Sequence, residues 1–287
     1  MWDRERVHMG LARRLARSMP GVSSRWLKNP CFAVGFNNSG KSTLMSIARR
    51  DLGARLYPDE GNGELWFPGL FPWLTVAEGV PPIWHGPETF IEKALEKRND
   101  QDFSQARAQL GAYQVLCRAP SLINDSGMLA ALLPRIHAHF PEARYLYMER
   151  NGLVSAYIAA RMNWMTLLRS PKKYRQYQCS LEFEDVLQRT ARYWAWTRLQ
   201  VETVHRQAPQ LMLCLQYEKA FQNLEDTLAS LCQFLDLEPR RPLAQIAAEY
   251  DYLDMNAVVL TDLSAPHRAL IEAAMAEVRA EAKTEVL

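Results

Sequence analysis

Gly35-Phe36-Asn37-Asn38-Ser39-Gly40-Lys41-Ser42 fits the pattern GxxxxGK[ST], and its residue types suit the capture of phosphate. Glycines at both ends let the backbone wrap closely, so that successive N–H groups point into one concavity. A helix that opens directly after the loop adds the positive end of its dipole. Lys41 brings a mobile point charge. Phe36, Asn37, Asn38, Ser39, Gly40, Lys41, Ser42 and Thr43 are therefore the candidate phosphate-holding residues.

Such a loop works only between a strand and a helix. The short apolar run Cys31-Phe32-Ala33-Val34 reads as a buried parallel strand, and Thr43 to Arg50 reads as the helix. Tyr113 to Cys117, Tyr145 to Met148 and Leu211 to Leu215 are three more apolar runs expected as strands. Helical patterns lie between them at Pro87 to Leu110, Gly127 to His139 and Leu181 to Arg206. This alternation predicts an α/β chain with three layers, helices on both faces of a central parallel sheet, in one domain over residues 1–287. Residues 5–18 have helical spacing with Val7, Leu11 and Leu15 on one stripe, which predicts an amphipathic leader helix within residues 1–28. Residues 62–87, dense in Pro, Gly and Trp, read as an irregular segment, and residues 165–180, mixed aromatic and basic, as a lid.

Composition narrows the partners. The 287 residues are 48% hydrophobic and carry a net charge of +2, so the chain can bury a large core and has no global charge suited to nucleic acid. The basic leader helix allows a weak contact with a membrane surface. Five cysteines, mostly in apolar runs, read as buried thiols of a reducing compartment, and the absence of a signal-peptide core points to the cytoplasm. No Cys/His spacing suggests zinc. His137, His139 and His205 read as surface or packing residues, while His85, in the irregular segment, is an alternative proton acceptor.

Three segments beyond the loop resemble the sulfotransferase superfamily, whose members move a sulfuryl group from 3′-phosphoadenosine 5′-phosphosulfate to an acceptor hydroxyl or amine. Phe140-Pro141-Glu142-Ala143-Arg144-Tyr145-Leu146-Tyr147-Met148-Glu149-Arg150-Asn151-Gly152 looks like that family's turn, buried strand and terminal arginine. The resemblance implies that Arg150 holds the nucleotide's 3′-phosphate. An arginine at the carboxyl end of a parallel strand also presents a bidentate fork at the usual binding edge of such a sheet. Leu213-Cys214-Leu215-Gln216-Tyr217-Glu218-Lys219-Ala220, followed by an apolar helix to Leu237, is similar to a second family segment and places Tyr217 near the nucleotide. Tyr57-Pro58-Asp59-Glu60-Gly61-Asn62-Gly63-Glu64 resembles the segment that supplies a glutamate base, with Glu60 closest to that position and Glu64 as the runner-up. Arg118-Ala119-Pro120 sits where members have a basic residue at a strand end, implying a clamp on the transferring group. The resemblance spans roughly residues 31–237. The chain departs from it at Lys41, where members carry threonine, and at Ile158, where members carry the serine of the 3′-phosphate site; Ser155 stands in for that serine.

The expected activity is therefore sulfuryl transfer to a small-molecule, glycan or lipid hydroxyl or an amine, with adenosine 3′,5′-bisphosphate as product and no metal required. Lys41, Glu60 and Arg118 are the expected catalytic residues. A P-loop kinase using Mg-ATP is the enzymatic alternative. It needs an acid at the end of a neighbouring strand, for which Asp125 or Glu149 can be offered, although neither gives four apolar strand residues with a clear Walker B ending in aspartate. A binding protein of the same fold without turnover is the third reading.

Overall fold

The computed structural model describes residues 2–56, 83–87, 100–125, 127–172, 177–250 and 255–284. Its centre is a parallel sheet of four strands: β1 Pro30–Gly35, β2 Leu122–Asp125, β3 Arg144–Glu149 and β4 Met212–Gln216, in the order β2-β1-β3-β4. The register pairs Ala33 with Leu146 on one side and with Asp125 on the other, and Met148 with Leu215. All four carboxyl ends therefore share one edge.

Side chains alternate across the strands and fill two layers. Phe32, Val34, Leu122, Tyr145 and Tyr147 face one core, closed by α4 Asp100–Cys117, α5 Leu133–His139 and part of α7 Phe183–Gln207. Cys31, Ala33, Ile123, Leu146 and Met148 face the other, closed by α3 Lys41–Asp51 and α9 Leu224–Leu235. A third cluster packs α6 Gly152–Arg169 and α7 against α12 Ala265–Thr284. The three-layer α/β architecture expected from the sequence is the one observed.

Two elements differ from expectation. Tyr113 to Cys117 is the last turn of α4 rather than a strand. A five-residue apolar run fits a buried helix segment as well as a strand, and Tyr113 is fully buried in the helical setting. The true fourth strand, Leu122-Ile123-Asn124-Asp125, is half polar and left no apolar run to read. Arg118 moves with this correction. It follows α4 in a left-handed conformation (φ 52°) and leads into the amino end of β2, so it sits at the opposite end of the strand from the loop after β1 and cannot clamp a group held there.

The leader is two helices, α1 Trp2–Ser18 and α2 Pro20–Arg25, both packed on α4. Ala12 and Ala16 make the buried seam of α1, whereas Val7 and Leu11 of the expected stripe are exposed. Small side chains let the helix axes approach more closely than a Val/Leu stripe allows. Gly111 of α4 serves the same approach: a Cβ there would overlap the Ser23 carbonyl oxygen and lie 2.9 Å from the Leu27 nitrogen. Gly111→Ala is expected to cost about 3 kcal/mol, read as a lower urea midpoint with an unchanged slope. Residues 165–169, expected as the start of a lid, are instead the last residues of α6. Of the irregular segment, residues 83–87 are described; the remainder lies outside the described residues. No helix among the described residues is long and apolar enough to cross a membrane.

Candidate functional site

β1 delivers the loop to the carboxyl edge of the sheet, and α3 begins at Lys41, directly behind it. Inside the loop, the Ser39 N–H donates to the Phe36 carbonyl at 3.2 Å, and Asn38 and Gly40 take left-handed conformations (φ 63° and 86°). Gly40 is held to glycine twice over, because a Cβ would also overlap the Tyr217 ring. The ring of Tyr217, the first residue of α8 Tyr217–Gln222, thus lies against the loop.

The strand-end arginine reaches the same place. Arg150 follows β3, is 8% exposed, and donates from Nη1 to the Asn38 carbonyl at 3.0 Å. Its Nε donates to Asn256 Oδ1 at 2.6 Å, and its guanidinium lies 4.5 Å from the centre of the Tyr217 ring. The remaining N–H groups of the guanidinium have no partner among the described residues. Asn256 donates onward to Glu218, which also accepts the Asn151 N–H at 2.9 Å. The loop, the strand end and α11 Met255–Asp262 are therefore tied into one hydrogen-bonded unit.

Ser155 lies in the first turns of α6, whose N-cap is Asn151, the side chain of which accepts from the Leu153 and Val154 N–H groups. Ser39 and Ser155 are both buried, and neither hydroxyl has a hydrogen-bond partner among the described residues. Two buried hydroxyls and an arginine with spare donors on one sheet edge form a donor set suited to anionic oxygens.

Lys41 is buried and makes an ion pair with Asp125, the last residue of β2, which is fully buried. Sequence reading offered Asp125 only as a metal support; what marks it is that a buried lysine at the start of α3 needs a counter-charge and β2 is the adjacent strand. Asn256 carried no local signal, and Glu218 stood only within the segment similar to a second family motif, with no role of its own. Asn37 and Asn38 are exposed at the loop tip, where Asn38 Nδ2 approaches Met162 Sδ to 3.3 Å; Ser42 is half-buried and Thr43 exposed. Phe36 packs on Tyr193 with ring centres 5.1 Å apart.

A cleft of about 540 Å³ opens beside Arg150, lined by Trp194, Arg198, Glu218, Asn256 and Leu260 as well as Glu149. Burial raises the Glu149 carboxyl above the usual glutamate range, partly offset by Arg198 at 3.3 Å. The folded chain then holds this proton at a pH where the unfolded chain has lost it, so stability falls as pH rises from the ordinary glutamate value through the raised one. Glu149→Gln is expected to raise the melting temperature by about 1–2 °C at pH 7 and to leave it unchanged at pH 4.

Glu60 and Glu64 lie outside the described residues. His85 is half-buried, and burial together with the charge of Arg189 pulls its imidazole below the ordinary histidine value, so it is neutral at physiological pH. His137 bonds the Tyr145 hydroxyl at 3.2 Å and His139 stacks on Phe103, both packing roles. Cys31 and Cys179 are buried, and burial pushes the Cys31 thiol up to about 12; Cys214, in contrast, is exposed. Among the described residues no group of three His, Cys, Asp or Glu side chains is placed to hold a metal ion.

The model of the sulfotransferase family matches residues 66–241, more than half of the chain. No curated protein matches it. Among solved structures, the sulfotransferase STF1 from Mycobacterium tuberculosis superimposes with a TM-score of 0.57 at 10% identity, covering 93% of this chain and 81% of that one. The sulfotransferase STF9 from Mycobacterium avium gives 0.54 at 10% identity, with 96% and 75% covered. The sulfotransferase domain of the curacin biosynthetic pathway gives 0.50 at 21% identity, with 85% and 83% covered. At these identities the superpositions establish the fold; with the sequence match over residues 66–241, they place the chain in the sulfotransferase family.

Proposed function

We propose that the chain transfers a sulfuryl group from 3′-phosphoadenosine 5′-phosphosulfate to a hydroxyl or amine of a small molecule, glycan or lipid. The observation that carries this reading is the hydrogen bond from Arg150 to the Asn38 carbonyl, because it brings the two anion holders within reach of one nucleotide. The donor supplies an activated sulfuryl group on a good phosphate leaving group. The loop from Phe36 to Thr43 holds the 5′ end through its N–H groups and the Ser39 hydroxyl, and Lys41 offsets charge on the bridging oxygen as it leaves. Arg150, with Ser155 beside it, holds the 3′-phosphate, and the Tyr217 ring keeps the guanidinium flat against the loop. Glu60 takes the acceptor's proton in this reading, with Glu64 and His85 as alternatives. The chain works in the cytoplasm, with α1 free to touch a membrane surface.

Asp125 favours a second reading. It is an acid at the end of the strand next to the loop, the placement that a kinase using Mg-ATP requires. Calorimetry separates the two. Adenosine 3′,5′-bisphosphate is expected to bind in EDTA, with consumption of the donor in the presence of an acceptor panel. Magnesium-dependent ATP binding without any bisphosphate binding would reject the sulfuryl-transfer reading, and tight bisphosphate binding with no turnover on any acceptor would favour a binding protein.

A further inference from the structure

The pairing of Lys41 with Asp125 is not explained by a phosphate-holding role for the lysine. Asp125 is 0% exposed and Lys41 4%, and the second carboxylate oxygen of Asp125 has no partner among the described residues. The charge that would meet the donor's anionic end is thus already committed to another anion. We propose that Asp125 is a positioning residue that latches Lys41 within the loop and yields it to the donor's 5′-phosphosulfate, so that donor binding and opening of this pair are a single exchange. This rests on the donor assignment above.

The surroundings fix what must follow. β1 packs beside Asp125 with Ala33 opposite and carries no charged residue, and the turn Gly127–Leu132 carries none. α3 contributes Lys41 at its start, while its other charged residues, Arg49, Arg50 and Asp51, lie at its far end. The bridge at Leu56 brings the Arg55 carbonyl to the Ile123 N–H, two residues back along β2. Lys41 is the one cation bonded to Asp125 among the described residues. A buried carboxylate that loses the one cation bonded to it among the described residues is strongly penalised, so the exchange draws a proton from solvent onto Asp125. The latch also weakens the donor site, because binding must first open the pair.

Titration calorimetry with adenosine 3′,5′-bisphosphate in EDTA at pH 8, in two buffers of different ionisation enthalpy, tests this on the full chain. Wild type is expected to take up about one proton per nucleotide bound. Asp125→Asn is expected to take up none and to bind roughly tenfold tighter, a gain that a merely structural role for Asp125 does not produce. In a Lys41→Met background the same substitution is expected to give no gain. Weaker or unchanged binding by Asp125→Asn overturns the latch, and so does wild type that binds without proton uptake. The wild-type proton count decides alone if Asp125→Asn does not fold. Wild type that binds no bisphosphate overturns the donor assignment, and the latch with it.

Discussion

Lys41→Met is expected to lower sulfuryl transfer by about 10³-fold and, separately, to cost about 3–5 kcal/mol of folding stability. The first effect follows from chemistry. A charge aimed at the leaving oxygen strengthens as negative charge builds there, so its loss falls on kcat more than on KM. The second follows from burial: the substitution strands the Asp125 carboxylate in a site with no solvent access. The two effects separate in Lys41→Met/Asp125→Asn, which removes both charges. At least half of the lost stability is expected to return in urea unfolding, while transfer stays at the level of the single variant. If activity returns along with stability, Lys41 is structural and the chemical role assigned to it is wrong.

Arg150→Met is expected to weaken adenosine 3′,5′-bisphosphate binding by about 10²–10³-fold, the loss of two charge-assisted hydrogen bonds to a phosphate. Arg150→Lys is expected to recover little of this. One ammonium cannot at once bond the Asn38 carbonyl and the Asn256 side chain, lie on the Tyr217 ring and still present a fork to an anion. The loop is expected to loosen as well, because Arg150 ties it to β3. A modest drop in thermal stability should accompany the affinity loss, and saturating nucleotide should not restore it.

The part of the site that lies on contiguous sequence was legible. Four apolar residues, a glycine–asparagine turn and a helix declared β1, the loop and α3, and an apolar run closed by Arg150 declared β3. What escaped was set by contacts distant in the chain. β2 ends in Asn124 and Asp125, both buried and polar, the second paired with Lys41 of the loop, and so it lacks the apolar signature by which buried strands are read. Asn256 binds Arg150 across 106 positions, and nothing in its neighbourhood singles it out. Arg118 was assigned by its resemblance to a strand-end motif, and the assignment failed because the run before it is helical. The face of α1 was misjudged for a related reason: the buried seam follows the partner helix, and two alanines fit it better than the larger side chains nearby.

One nucleotide spanning the loop and the strand-end arginine is the claim on which the account depends. Binding of adenosine 3′,5′-bisphosphate and of adenosine 5′-monophosphate, each to wild type and to Arg150→Met, measures it directly. Wild type is expected to prefer the bisphosphate by about 100-fold, and Arg150→Met to bind both ligands alike. An equal preference in both proteins, or a wild type that does not distinguish the ligands, would contradict it.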